Sequence, residues 1–282
     1  MTRAPSKRPS QRLRALSANA FPETPFDGGA KPERRKRDSM QAMERLVKAP
    51  DLTVVFQPIV HFDTLETFAF EALVRCSVPE FSYPPALFDR AVRDECCGRL
   101  GRMIREVGVP LCSGHPIFLN LHPFELEERW LVQPDDPMFF HDHDVFLEIT
   151  ESVPMTHFDL CYDVINDVRS RGNFQLVVDD LGAGYSNLSS IADLEPKIVK
   201  LDRGLIAGVT RGSRQQTLVK GVVRLCQDLG ADVVAEGIET LEEYHALLET
   251  GVHYGQGYLF ARPGFPLPTV DKEAILGKKP KK

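Results

Sequence analysis

From about residue 51 onward, short runs rich in β-branched and aromatic residues alternate with longer stretches of helical period, and this alternation constrains the fold more than any other feature of the chain. The strand-like runs are Val54–Val60, Phe68–Leu73, Ile117–Leu121, Val145–Ile149, Gln175–Val178, Ile198–Leu201, Asp232–Ala235 and Tyr254–Phe260. Helical stretches between them include Ala86–Val107, Phe158–Arg171, Gln215–Leu229 and Leu241–Glu249. Thr240 stands as an N-cap before the last of these, with Glu243 placed to close a capping box. Gly230 and Gly251 sit where helices should stop. Strands apolar on both faces and separated by helices imply a parallel sheet covered by helices. The first connection, His61–Thr67, is too short for a crossover, which needs about a dozen residues. The first two strands should therefore pair antiparallel. The expected fold is α/β, an irregular TIM-like (β/α)8 barrel with an antiparallel first strand pair.

The flanks read differently. Residues 1–45 are rich in Pro, Ser, Arg and Lys and cannot bury enough apolar surface to offset the entropy of ordering, so they read as a disordered basic tail. Residues 1–38 carry ten Lys/Arg against four Asp/Glu, a charge of +6, so the remainder carries −12 of the net −6. The run Arg34–Arg37 offers a contact for an anionic protein partner, although a merely solubilising tail is the plainer reading. Residues 46–270 form the expected domain, and 271–282 read as a short basic C-terminal tail. No run approaches the ~18 apolar residues of a membrane span. The basic start lacks the apolar core of a signal peptide. Six cysteines without metal-type spacing fit reduced thiols, and the expected location is the cytoplasm. Nucleic acid is not the expected partner of an acidic body with no recognised binding module.

The chemistry is expected where the strands end. Phe68–Phe70 runs into Glu71, Ile117–Leu119 into Asn120, Val145–Leu147 into Glu148, Gln175–Val178 into Asp179 and Asp180, Ile198–Val199 into Lys200, and Val233–Ala235 into Glu236. Glu239 follows three residues later, and Gln256 lies in the last strand region. In a parallel barrel these ends share one face, where barrel active sites are built. Burying that many carboxylates unpaired would cost several kcal/mol each. Lys200 alone cannot neutralise them, whereas hard, oxygen-loving cations can. The adjacent Asp179 and Asp180 suggest two metals sharing a ligand, about 3.5–4 Å apart, the usual device for phosphodiester hydrolysis.

These segments resemble the EAL domain family of cyclic di-GMP phosphodiesterases. Glu71-Ala72-Leu73-Val74-Arg75 matches the naming motif, and Asn120-Leu121-His122-Pro123 is similar to the family's Asn-Leu-Ser-Pro segment. Leu147–Ser152, Asp179–Ser186, Lys200-Leu201-Asp202, Ala235–Thr240 and Gln256–Phe260 follow in the family's order. The resemblance implies a first metal held by Glu71, Asn120, Glu148 and Asp179, and a second held by Asp179, Asp180 and Glu236, the ions being Mg2+ or Mn2+. It implies Glu236 as general base, with Lys200 and Asp180 also catalytic. Substrate contacts would come from Gln57, Glu71, Arg75, Glu239, Gln256 and Tyr258, and Glu151 would brace the loop Leu181–Asn187. The implied product is linear pGpG, and the implied assembly is a homodimer through the sixth loop and its following helix.

Departures are few. Cys76 replaces the usual Trp after Arg75, His122 and Asn187 replace Ser, and Ser77–Arg99 reads unlike the family's acidic stretch. No expected metal ligand is missing. The alternatives are a cyclic di-GMP receptor with little turnover, and a scaffold acting through protein partners. His141-Asp142-His143-Asp144 looks like a metal cluster but precedes a strand, at the end of the barrel away from the other ligands, so it reads as a solvated loop.

Overall fold

Two ten-residue strands, β1 (Leu52–His61) and β2 (Thr67–Cys76), pair antiparallel from Leu52 opposite Cys76 to Val60 opposite Thr67. In the computed structural model of the chain, which describes residues 41–43, 45–127, 131–150, 158–183 and 188–277, this hairpin opens a closed barrel. The strands that follow are β3 (Ile117–Asn120), β4 (Val145–Thr150), β5 (Phe174–Leu181), β6 (Ile198–Leu201), β7 (Asp232–Ala235) and β8 (Tyr254–Gly255). β2 to β8 run parallel, and β1 closes the barrel antiparallel to both β2 and β8. The irregular barrel with an antiparallel first pair is the architecture observed.

The helices on the outside are α1 (Pro84–Arg93), α2 (Cys97–Gly108), α3 (Pro123–Glu127), α4 (Phe158–Arg169), α5 (Leu188–Leu194), α6 (Arg203–Ile206), α7 (Arg214–Asp228), α8 (Leu241–Leu247) and α9 (Lys272–Leu276). The capping box at α8 forms as the spacing predicts: Thr240 Oγ1 accepts from Glu243 N at 3.2 Å and Glu243 Oε2 from Thr240 N at 3.0 Å.

The pleat sorts each strand into two faces. Ile59, Ala69, Phe118, Phe146, Val177, Ile198 and Val234 point inward and fill the barrel. The intervening residues, among them Phe56, Phe70, Leu119, Leu147, Val178, Val199 and Val233, point outward into the larger core under the helices.

Four expectations need correction. The single helix over Ala86–Val107 is two helices, α1 and α2. Glu95 adopts φ +53° and ends the first, after which Cys96 N bonds back to Ala91 O at 2.9 Å. The reversal lets Leu87, Ala91, Cys96 and Leu100 share one buried cluster. The last strand stops at Gly255, because Gln256 to Phe260 turn over the barrel mouth, with Leu259 N bonded to Ile238 O at 3.0 Å. The folded region begins before residue 46: Gln41–Met43 and Arg45–Leu46 are helical, and Met43 is buried with Leu46 and Val47. It also ends after residue 270, since Asp271 caps α9 and Ile275 joins the core. Residues 1–40 and 278–282 lie outside the described residues.

Candidate active site

One pleat repeat beyond the apolar layer, each strand turns from apolar to polar on the same inward face. Ala69 is followed two residues later by Glu71, Phe118 by Asn120, Phe146 by Glu148, Val177 by Asp179, Ile198 by Lys200, Val234 by Glu236 and Tyr254 by Gln256. β1 runs the other way, so its contribution lies two residues before Ile59, at Gln57. Eight strands thus supply a ring of eight polar side chains at the carboxyl end of the parallel strands. It forms because successive inward positions in a pleated strand are two residues apart.

Lys200 sits inside the ring, 1% exposed. Its Nζ lies 2.7 Å from Glu148 Oε1, 2.6 Å from Glu236 Oε1, 3.4 Å from Asp179 Oδ1 and 3.6 Å from Glu71 Oε2. Glu71 is the best solvated by its neighbours. Its Oε1 accepts from Asn120 Nδ2 at 3.0 Å and its Oε2 from Gln256 Nε2 at 2.5 Å. Gln256 also donates to Gln57 Oε1 at 3.1 Å. Glu148 is different: both of its carboxylate oxygens are buried, Oε1 has only the Lys200 ammonium at 2.7 Å, and Oε2 has no hydrogen-bond partner.

Asp179 and Asp180 are adjacent in β5 and would point to opposite faces of a regular strand. A break in the β5–β6 register between Val178 and Leu181, with Asp180 at φ +60°, brings them to one place. Aspartate tolerates this left-handed conformation better than most residues. Oxygens of Asp179, Asp180 and Glu236 then lie within 4.8 Å of one another.

Five carboxylates face one ammonium, and the ionisation equilibria register the imbalance. Burial pushes Glu148 and Glu236 well above the usual carboxylate range despite Lys200, with repulsion from Glu71 and Asp179 adding to it. Burial likewise raises Asp179, against Lys200. Burial and the charge of Asp179 raise Asp180 to about 6. For Glu71, burial is outweighed by Lys200 and the Gln256 and Asn120 amides, so its carboxyl is held below the usual range. Burial disfavours the Lys200 ammonium, yet Asp179, Glu148, Glu236 and Glu71 hold it charged well above its ordinary range. An all-oxygen donor set with surplus negative charge and unbonded buried oxygens fits hard divalent cations.

The sequence-predicted residues fall into three groups. Glu71, Asn120, Glu148 and Asp179, expected around a first metal, are brought together around the Lys200 ammonium, and the set expected for a second metal converges as well. Gln57, Glu71, Glu239, Gln256 and Tyr258 line a cavity of 280 Å3 above the ring. Arg75 is not among its lining residues; the inward face of β2 reaches the cavity through Leu73, and Arg75 turns its Nη1 onto Val74 O at 2.8 Å. Glu151 and residues 184–187 of the loop it was expected to brace lie outside the described residues.

Three contributors escaped the sequence reading. Arg203 and Asp202, just beyond Lys200, line the cavity, and Arg262 lies 4.2 Å over the Tyr258 ring. For Asp202 and Arg203 the one sequence signal is position, directly after the strand that carries Lys200; Arg262 has none. The His141–Asp144 segment is a loop as expected: Asp142 accepts from Gly114 N at 3.2 Å, and His141 Nε2 bonds His115 O at 2.8 Å.

Fold and site together define a (β/α)8-type barrel with an oxygen-rich, cation-suited centre at its carboxyl face. The chain belongs to the EAL domain family, whose model matches residues 40–263. It is 36% identical over 161 residues to the cyclic di-GMP phosphodiesterase RocR of Pseudomonas aeruginosa, a match covering 53% of this chain and 40% of that protein. The calcium/cyclic di-GMP complex of Klebsiella pneumoniae BlrP1 superposes with a TM-score of 0.65 at 31% identity, covering 76% of this chain and 56% of that one. The cyclic di-GMP-bound form of a standalone EAL protein from Vibrio cholerae O395 superposes at 0.63 and 30% identity, covering 79% and 97%. The chain spans 20% to 51% of the length of these and other curated relatives that it matches. Among the described residues no helix is long and apolar enough to cross a membrane.

Proposed function

We propose that the chain hydrolyses cyclic di-GMP to linear pGpG in the cytoplasm, with two Mg2+ or Mn2+ ions as cofactors. The observation that carries this reading is the ring with Asp180 beside it: five carboxylates against one ammonium, with Glu148 fully buried and only the Lys200 ammonium against it. Relatives named cyclic di-GMP phosphodiesterases support the reaction, and BlrP1 complexes with calcium or manganese support the cofactor class.

Glu71, Asn120, Glu148 and Asp179 would hold one ion, and Asp179, Asp180 and Glu236 the other. Bound there, divalent ions supply charge neutralisation at the phosphoryl oxygens and acidify water at neutral pH. The chain's own residues do the rest. A carboxylate oxygen of Glu236 receives the proton of the attacking water as the new O–P bond forms and a P–O3′ bond breaks, and the released O3′ takes up a proton from solvent water to become the 3′-hydroxyl. The Lys200 ammonium, fully charged among its acids, stabilises negative charge developing on the phosphoryl group. Gln57 and Gln256 orient Glu71 and face the cavity, Glu239 and Tyr258 act at the substrate rim, and Arg75 would act there only on turning its guanidinium away from Val74 O. The cavity admits part of a dinucleotide and leaves the rest on the open face.

The homodimer belongs to the same reading. Besides the loop 181–187 after β5 and helix α5, an apolar groove along α7 offers surface for it, lined by Thr217, Leu218, Gly221, Val222 and Leu225.

Incubation of the purified chain with cyclic di-GMP and Mg2+ or Mn2+, with the nucleotides separated by chromatography, tests the activity. Linear pGpG should accumulate, a chelator should stop it, and Glu71→Ala and Glu236→Gln should each abolish it. Stable binding of cyclic di-GMP without turnover would replace the enzyme with a receptor.

A further inference from the structure

Arg203 opens α6, three residues beyond Lys200, and its guanidinium crosses to the neighbouring strand-end loop. Nη1 donates to the carbonyl oxygen of Gly237, and Nη2 lies 3.0 Å from Glu239 Oε2. The aliphatic stem lies on Gly237 itself: a Cβ there would stand 2.8 to 3.0 Å from Arg203 Cβ, Cγ and Cδ. Gly237 adopts φ +67°, and it directly follows Glu236. On the far side the loop is held through Ile238 N to Gln256 O and Leu259 N to Ile238 O, each at 3.0 Å, and farther along Glu243 Oε2 accepts from Glu239 N at 2.9 Å, which fixes the Glu239 backbone but not its side chain. A close approach by Gly257 permits this, since a side chain there would overlap the Ile238 backbone.

A glycine peptide rotates at little cost, and one placed directly after Glu236 would let that side chain swing. Holding Gly237 O and Glu239 at once removes the freedom. A planar guanidinium can meet two acceptors in fixed geometry, whereas an ammonium is a single point charge.

We propose that Arg203 is a positioning residue: its fork locks the Gly237 peptide and Glu239, and so aims the Glu236 carboxylate at Asp179 and Asp180. The kinetic part rests on the phosphodiesterase reading; the cation-binding part rests on the geometry of the Asp179–Asp180–Glu236 cluster. Because the Arg203 side chain is 43% exposed and lines the cavity, a substrate phosphate is the competing acceptor for its charge.

The test uses the full chain with Arg203→Gln and Arg203→Lys, measuring Mn2+ affinity by calorimetry, kcat and KM for cyclic di-GMP, and Tm. Removing a group that orients a metal ligand lowers affinity or activity about 10- to 100-fold. Arg203→Gln is expected to weaken Mn2+ binding and to lower kcat by about 10-fold or more, with KM within about 3-fold of wild type. Arg203→Lys should recover only part of either loss. Tm should fall by no more than about 4 °C, because the ion pair is partly exposed. A raised KM with kcat and Mn2+ affinity unchanged would make Arg203 a substrate ligand and overturn the proposal. So would wild-type values throughout. If the wild type binds Mn2+ but leaves cyclic di-GMP intact, the phosphodiesterase reading fails while the Mn2+ titration still decides the role of Arg203. A wild type that binds no Mn2+ overturns both.

Discussion

Replacing Arg105 with methionine removes the guanidinium from a buried charge cluster behind the barrel mouth. Arg105 is 2% exposed, and Glu125 and Asp136 are fully buried. Arg105 Nη1 donates to Glu125 Oε2 at 2.8 Å, and Nη2 donates to Asp136 Oδ2 at 2.9 Å. Glu125 Oε1 accepts from His122 N at 3.1 Å, next to the loop that follows Asn120. Burial already pushes the Glu125 carboxyl above its usual range in spite of Arg105. Methionine fills much of the volume but leaves the carboxylates without a cation, and breaking a buried pair this way costs about 3–5 kcal/mol. A second estimate agrees: the variant can relieve the strain by protonating Glu125, which at pH 7 costs about 3.7 kcal/mol for a glutamate of ordinary pKa. The expected loss corresponds to a Tm lower by roughly 6–20 °C for a domain of this size.

The pH dependence provides the sharper check. With its folded-state pKa raised further, Glu125 binds its proton in the folded variant more readily than in the unfolded chain. Its contribution is therefore fully present below the unfolded value and lost as pH rises through the folded one. The deficit relative to wild type should shrink on going from pH 7.5 to 5.5, by up to about 2.7 kcal/mol. Urea unfolding of both proteins at the two pH values measures it, and ionisation at the metal centre cancels because it is common to both. A deficit below about 1 kcal/mol, or one independent of pH, would refute the reasoning.

Three further outcomes are expected. Mn2+ at about 100 times its dissociation constant should stabilise the fold by about 2.7 kcal/mol per site, visible as a higher Tm by scanning calorimetry and reversed by a chelator. In a chelator, the raised carboxyls of Glu148, Asp179, Glu236 and Asp180, the last at about 6, should make the chain more stable at pH 5 than at pH 7.5, with stability lost as pH rises through the folded values; saturating Mn2+ should flatten that slope in the same melts. Gly101→Ala should lower the urea midpoint by an amount equivalent to about 1–3 kcal/mol or more, because the added Cβ would overlap the Glu125 carboxylate.

Much of this protein was legible in the linear chain. Eight apolar runs with helical stretches between them specified a barrel, because strands apolar on both faces must be covered by helices. The seven-residue connector His61–Thr67 forced the antiparallel hairpin, since no crossover fits it. Glu71, Asn120, Glu148, Asp179, Lys200 and Glu236 stood out because each follows an apolar run toward the carboxyl side of its strand, and in a parallel barrel those sides converge. Tertiary structure decided the rest. That Asp179 and Asp180 share one place depends on a register break and a left-handed residue, neither of which the pleat period predicts. Gln57 enters the ring only because β1 runs backwards and its inward positions count from the other end. Arg105, Glu125 and Asp136 lie far apart in sequence and meet only when α2 packs beside the loop after β3. Local periodicity encodes which face a residue takes, whereas the partner across a loop or between helices is fixed by packing.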